Sequence, residues 1–313
     1  MKHTIKVTLI LILIFLMTQV IGLYTVNKYI QVETNDQGKI VIVHTNTTFG
    51  PAQEFQENQK TYSFLFIVAA IFIMTALILL LIRTNLGRFW KYGFFFAVFI
   101  ALGVAFGVFI NRYIALAFAL ILAYFKAFRP NYYIHNLTEI FLYSGIAILV
   151  LPLFNLPSAF GLLILVSFYD MYAVWKSKHM IKLAKFQASN KVFAGLAIPY
   201  KIPKISFFKK KDIGHKTGKD NGLPKEKKIK SAILGGGDIG FTLIFAAVVM
   251  EHLIVKIGID KTPAFFYSLI VALSATIALS GLFLYSKKNK FYPAMPFITI
   301  GCFIGYVIVI LLI

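Results

Sequence analysis

The chain is dominated by long apolar runs broken by short polar connections. Runs long enough to cross a bilayer fall at about 5 to 26, 62 to 82, 92 to 110, 113 to 128, 138 to 154, 158 to 175, 232 to 250, 264 to 285 and 294 to 313. The pattern predicts an all-α polytopic membrane protein with nine transmembrane helices and its two termini on opposite sides. The run from Gly93 to Phe125 is too long for one crossing, so it is divided at Asn111 and Arg112. The first run follows MKHTIK, and no small-x-small cleavage signal succeeds it, which predicts a retained first span.

The polar connections are uneven. Between the first two spans, at 27–61, YIQVET and KIVIVH alternate apolar and polar residues around NDQG, a hairpin signal in an extracytoplasmic loop. After the sixth span, WKSKHMIKLAKFQ predicts an interfacial helix over 176–187, with Met180, Ile181, Leu183 and Phe186 on one face and lysines on the other. The basic stretch 188–231 that follows has little to bury and reads as a mostly mobile loop. The chain thus divides into spans one to six (1–187), the basic loop (188–231) and spans seven to nine (232–313).

Composition agrees with the pattern: 59% of the 313 residues are hydrophobic and only 14% are charged, against roughly 45–50% and 25% in soluble domains. The formal net charge of +20 sits mainly in the connections, where it reports membrane orientation and anionic headgroups, and not nucleic acid. Lys2, Lys6, Arg83, Arg88, Lys91, Lys126, Arg129 and the Lys287–Lys290 cluster fall on one side with the basic loop. The other side receives only Lys28, Lys39, Lys60, Arg112, Lys256 and Lys261. This bias puts the amino terminus and the loop in the cytoplasm and the carboxyl terminus outside. The single cysteine, Cys302, lies in the last span and excludes a disulfide framework.

Of the twelve acidic residues, Asp170 and Asp238 fall inside apolar runs, whereas Glu139, Glu251 and Asp260 read as span ends. A carboxylate in a bilayer is costly and marks a functional site by default. Asp170 precedes Lys176 by six residues and Asp238 follows Lys230 by eight, depths of roughly 9 and 12 Å on consecutive antiparallel spans. The two would meet at one level. A lone membrane aspartate is as readily a structural hydrogen-bonding group, but a depth-matched pair behind the triplet Gly235, Gly236 and Gly237 favours chemistry. There is no HExxH or GxSxG motif, and the residues call for no metal or cofactor.

Tyr169 and Asp170 in span six, GGGD at Gly235 to Asp238 in span seven, and PAMP at Pro293 to Pro296 opening span nine resemble the three signatures of the presenilin and signal peptide peptidase family. These are the GxGD intramembrane aspartyl proteases, and the short single chain most resembles their archaeal members. The resemblance implies a presenilin-like fold and two catalytic aspartates, Asp170 and Asp238. It also implies site-shaping roles for Tyr169, Gly235, Gly236, Gly237, Pro293, Ala294, Met295 and Pro296, with Met295 standing where the family has leucine. The substrates implied are single-span membrane proteins or signal-peptide remnants, unwound and added to a strand ahead of span seven. A homo-oligomer is permitted by this reading. Two alternatives stand beside it: a proton- or cation-coupled transporter or channel using the same aspartates, and a prepilin-type peptidase, which leaves PAMP without a role.

Overall fold

The computed structural model describes residues 5–34, 39–51, 55–84, 87–129, 131–177, 193–199, 231–286 and 292–313. Among them, nine long helices stand where nine spans are expected: α1 (Ile5–Tyr29), α2 (Ser63–Arg83), α3 (Gly87–Gly107), α4 (Arg112–Phe128), α5 (Tyr132–Val150), α6 (Leu156–Tyr172), α7 (Gly236–His252), α8 (Lys261–Tyr285) and α9 (Met295–Leu312). Eight are long and apolar enough to cross a membrane once π turns continue α6 to Lys176 and α7 to Ile257. The other, α4, has 17 residues and rises roughly 26 Å, somewhat less than a typical hydrocarbon core.

Asparagines decide where three of these helices begin. The Asn111 side chain accepts the Tyr113 amide at 3.0 Å, capping α4 and dividing the long apolar run where expected. Asn131 caps α5 in the same way, through Tyr133 at 3.1 Å, and Asn155 forms a capping box with Ser158 ahead of α6. Because α5 starts at Tyr132, six residues before the apolar run suggests, Glu139 lies two turns inside the helix and is fully buried. Glu139 is therefore not a span-end residue. Lys126 is likewise no connection cation, since it is buried in α4 against Glu139. The charge bias survives its removal.

Helices in lipid gain little from burying apolar surface against one another, so close backbone approach carries the packing. On α4 the alanines at 115, 119, 123 and 127 form a fully buried stripe, and α4 packs on α3 and α5. A Cβ on Gly145 of α5 would lie 1.8 Å from the Ala101 carbonyl oxygen of α3. Gly301 and Gly305 of α9 are pressed against α8, where a Cβ would lie 2.8 Å from Ala275 and 2.7 Å from Val271. At the centre stands α7, which touches α1, α5, α6, α8 and α9. Its apolar window is 72% buried, whereas that of α2, which rests on α6 and α3, is 0% buried.

Two small antiparallel sheets accompany the helices. The expected hairpin is present as β1 (Ile30–Thr34) and β2 (Ile40–His44), and its His44 Nε2 lies 2.8 Å from Glu251 of α7. The second sheet pairs β3 (Gly195–Pro199) with β4 (Ser231–Gly235) in the register Gly195 to Gly235, Ala197 to Ile233 and Pro199 to Ser231. Of the stretch 188–231, for which a mostly mobile loop is expected, residues 193–199 and Ser231 are described, and all but the first two of them lie in this sheet. The apolar residues Leu196, Ile198, Ala232 and Leu234 are all buried, which rewards ordering this much of the loop. Residues 200–230 and the interfacial helix expected over 176–187, beyond a π turn at Ala173–Ser177, lie outside the described residues.

Candidate active site

Asp238 is the third residue of α7, in the helix first turn, where four backbone amides lack an intrahelical acceptor and the helix dipole favours negative charge. Its carboxylate reaches back to the amide of Gly235, the extended residue (φ −65°, ψ 146°) that precedes the helix. This is one half of a capping box, with an aspartate where glutamate is usual. The glycines serve contact more than conformation. A Cβ on Gly236 would lie 2.5 Å from the Tyr143 hydroxyl of α5, and one on Gly240 would sit 3.4 Å from the same ring. Gly237 is less confined, since its Cβ would make ordinary contact with Phe241 at 3.4 Å. Of the triplet, Gly236 is the residue that steric fit demands.

Asp170 is buried near the carboxyl end of α6 and draws on a different helix start. Its Oδ2 accepts the Met295 amide at 3.2 Å, and the Ala294 amide also points to it. Met295 opens α9, with Ala294 as its cap and Pro296, which has no N–H to offer, in the first turn. The PAMP segment thus gives Asp170 backbone donors at a positive helix end. Because Met295 acts through its amide while its side chain packs in the core at 3% exposure, replacing leucine with methionine leaves this hydrogen bond untouched. Pro293 is buried just ahead of the turn.

A second contact sets the register of α6 against α9. Ser167 Oγ, one turn before Asp170, lies 2.7 Å from Thr299 Oγ1, one turn after Met295. Tyr169 points elsewhere: its hydroxyl is 3.3 Å from Thr75 of α2, and its ring packs edge-on against Phe72. It docks α2 onto α6 next to the site. Gln19 of α1 reaches the other aspartate's helix, donating to the Ile239 carbonyl at 3.1 Å.

The two carboxylates are therefore held by the heads of α7 and α9, close enough for their charges to interact. Both receive backbone amides, and the salt bridges among the described residues include neither of them. In a low-dielectric setting two neighbouring carboxylates do not both ionise easily, which favours one proton shared between them. Such a pair can thus present an acid and a base to the same molecule.

Sequence reasoning missed Glu139, Lys126 and Tyr143. Glu139 accepts Lys126 Nζ at 2.6 Å, the Tyr143 hydroxyl, and the Gly195 amide at 3.1 Å. No spacing rule links residues 126, 139 and 195, although a glutamate eight residues after a capping asparagine is a sign of a position inside a helix. Among the described residues, no group of three His, Cys, Asp or Glu side chains could hold a metal ion.

A family model described as signal-peptide peptidase, presenilin aspartyl protease matches residues 39–313. Similar solved structures include a presenilin family intramembrane aspartate protease in two crystal forms. In the C222 form it is 14% identical, with a TM-score of 0.61 and coverage of 98% of this chain and 99% of that one. In the P2 form it is 15% identical, with a TM-score of 0.58 and 97% of each chain covered. No curated protein sequence matches the chain.

Proposed function

The chain belongs to the signal-peptide peptidase and presenilin aspartyl protease family and is an intramembrane aspartic endopeptidase, and from that premise we propose that Asp170 and Asp238 are its catalytic pair. The transporter and prepilin-peptidase alternatives give way to the family membership. The observation that carries the assignment is the convergence of two carboxylates, in no salt bridge among the described residues, on two helix heads, each held by backbone donors. In the reaction, a water lies between the carboxylates. The ionised partner takes a proton from it as it attacks, while the protonated partner polarises the scissile carbonyl. The amine then leaves with a proton returned from the pair.

The enzyme acts on membrane-protein substrates within the bilayer, and such a substrate hides its peptide bonds in its own helical ladder. It must unwind before attack. Strand alternation turns the N–H and C=O of Ile233 away from β3, and Ile233 is 53% exposed, two residues before the segment that leads to Asp238. An unwound substrate gains backbone partners by adding to this edge of β4. Tyr169, the glycine triplet and PAMP shape the site around it.

The preferred substrates in this proposal are single-span proteins whose amino end is outside and whose carboxyl end is cytoplasmic. The Lys and Arg bias supports that orientation, with the basic loop in the cytoplasm. Purified enzyme should cleave a labelled single-span peptide, and an aspartyl-protease transition-state analogue should block it. No cleavage under any lipid condition counts against the assignment. A cysteine introduced at Lys227 in a Cys302→Ala background should resist membrane-impermeant thiol reagents on intact cells; labelling without permeabilisation would reverse the orientation.

A further inference from the structure

A strand in an antiparallel pair bonds its neighbour at every second residue, and the residues between face the opposite edge. On β3 the outward residues are Gly195 and Ala197, and side chains from one stretch of α5 meet all four of their backbone polar groups. Glu139 Oε2 accepts the Gly195 N–H at 3.1 Å, and His135 Nε2 lies 2.8 Å from the Gly195 carbonyl oxygen, to which it must donate. Asn136 does both jobs for Ala197, accepting its N–H at 3.1 Å and donating to its carbonyl at 3.0 Å. The next outward residue is Pro199, which has no N–H to satisfy. A helix has taken the place of a neighbouring strand.

The stand-in is itself braced. Glu139 is fixed by Lys126 Nζ at 2.6 Å, with both side chains fully buried, and Lys126 also donates to Thr138 at 3.0 Å. The Tyr143 hydroxyl donates to Glu139, and its ring lies against Gly236 and Gly240 on either side of Asp238. Gly195 takes φ +133° beside the Leu234 carbonyl, a conformation and a clearance that only glycine allows. It pairs with Gly235, whose amide reaches Asp238. A continuous path of contacts therefore runs from Lys126 through Glu139 and Gly195 to the aspartate.

We propose that Asn136 and Glu139 are positioning residues for proteolysis: together they form a surrogate strand that closes the outer edge of β3, leaving the β4 edge to the substrate and holding Asp238 where Asp170 meets it. This rests on the assignment of the two aspartates as the catalytic pair. Neither residue touches the reacting atoms.

The test separates the charge of Glu139 from its hydrogen bonds to the strand and to Tyr143. Lys126→Met with Glu139→Gln keeps an acceptor for the Gly195 amide, whereas Lys126→Met with Glu139→Leu removes it; both pairs are neutral, and exchanging a buried ion pair for apolar groups is often neutral to stability. Because it leaves the Gly195 amide and the Tyr143 hydroxyl without an acceptor, the leucine pair should melt below the glutamine pair, lose about tenfold in kcat/KM, and exchange the Leu196 and Leu234 amides with deuterium about tenfold faster. The glutamine pair should recover most of the wild-type rate and protection. If the two pairs match in cleavage and in exchange, the proposal is overturned. Should the leucine pair fail to fold, Asn136→Leu, which strips both bonds from Ala197 without disturbing a charge, is held to the same outcomes. If wild-type enzyme cleaves nothing, the catalytic assignment fails separately, and the exchange rates still decide whether α5 holds the strand.

Discussion

Two carboxylate centres stand side by side in this molecule, and they are satisfied in opposite ways. Glu139 is saturated: a lysine cation, a tyrosine hydroxyl and a backbone amide all converge on it. Among the described residues, Asp170 and Asp238 receive backbone amides at helix heads and their charges interact with each other. A carboxylate locked to a buried cation neither gives up nor takes a proton readily, which suits it to holding structure in place. One held by neutral dipoles keeps its proton exchangeable. Under the proposed assignment, the difference separates the two acids that do chemistry from the one that holds structure.

The largest expected effect comes from removing that chemistry without disturbing the fold. Asp170→Asn or Asp238→Asn should each lower cleavage at least about a thousandfold while Tm in detergent stays near wild type, because a neutral isostere keeps the amide contacts but cannot share the proton. A variant that still cleaved at a tenth of the normal rate would erase the contrast between the centres.

The saturated centre should respond in the reverse order, losing stability first. Lys126→Met alone strands Glu139 as an uncompensated buried charge, with an expected loss of about 3–5 kcal/mol in unfolding measurements. Adding Glu139→Gln should return most of it. If the single variant is as stable as wild type, Glu139 is not held as an ion.

Between the two centres lies the wall that Tyr143 makes with α7. Gly236→Val should cost about 1–3 kcal/mol and slow cleavage, since its Cβ would meet the Tyr143 hydroxyl, and Gly237→Val should cost less because only the Phe241 side chain must yield. Equal effects, read by thermal unfolding and turnover together, would deny the close approach. The smallest change is expected from Met295→Leu, under about 1 kcal/mol in stability and little in rate, because the residue serves Asp170 through its amide. A large loss would mean that the methionine side chain itself shapes the site.

What the sequence determined by itself is what lipid and local chemistry impose. Apolar runs mark spans because a bilayer tolerates no unpaired backbone, asparagines at 111, 131 and 155 start helices by capping them, and the alternation around NDQG makes a hairpin. The candidate aspartates were legible for the same reason, since each interrupts an apolar run and lies beside a recognisable motif. Hydropathy could not tell a central span from a peripheral one. The most apolar of the eight candidate spans, α2, has none of its window buried, and the less apolar α7 is the core, because lipid and protein interior are equally greasy solvents. Only the tertiary structure decided that Glu139 faces Lys126, that Gly236 rather than Gly237 meets Tyr143, and that α5 completes a strand from the loop. Those pairings join residues far apart in the chain and have no periodicity, so they exist only once the helices have chosen their neighbours.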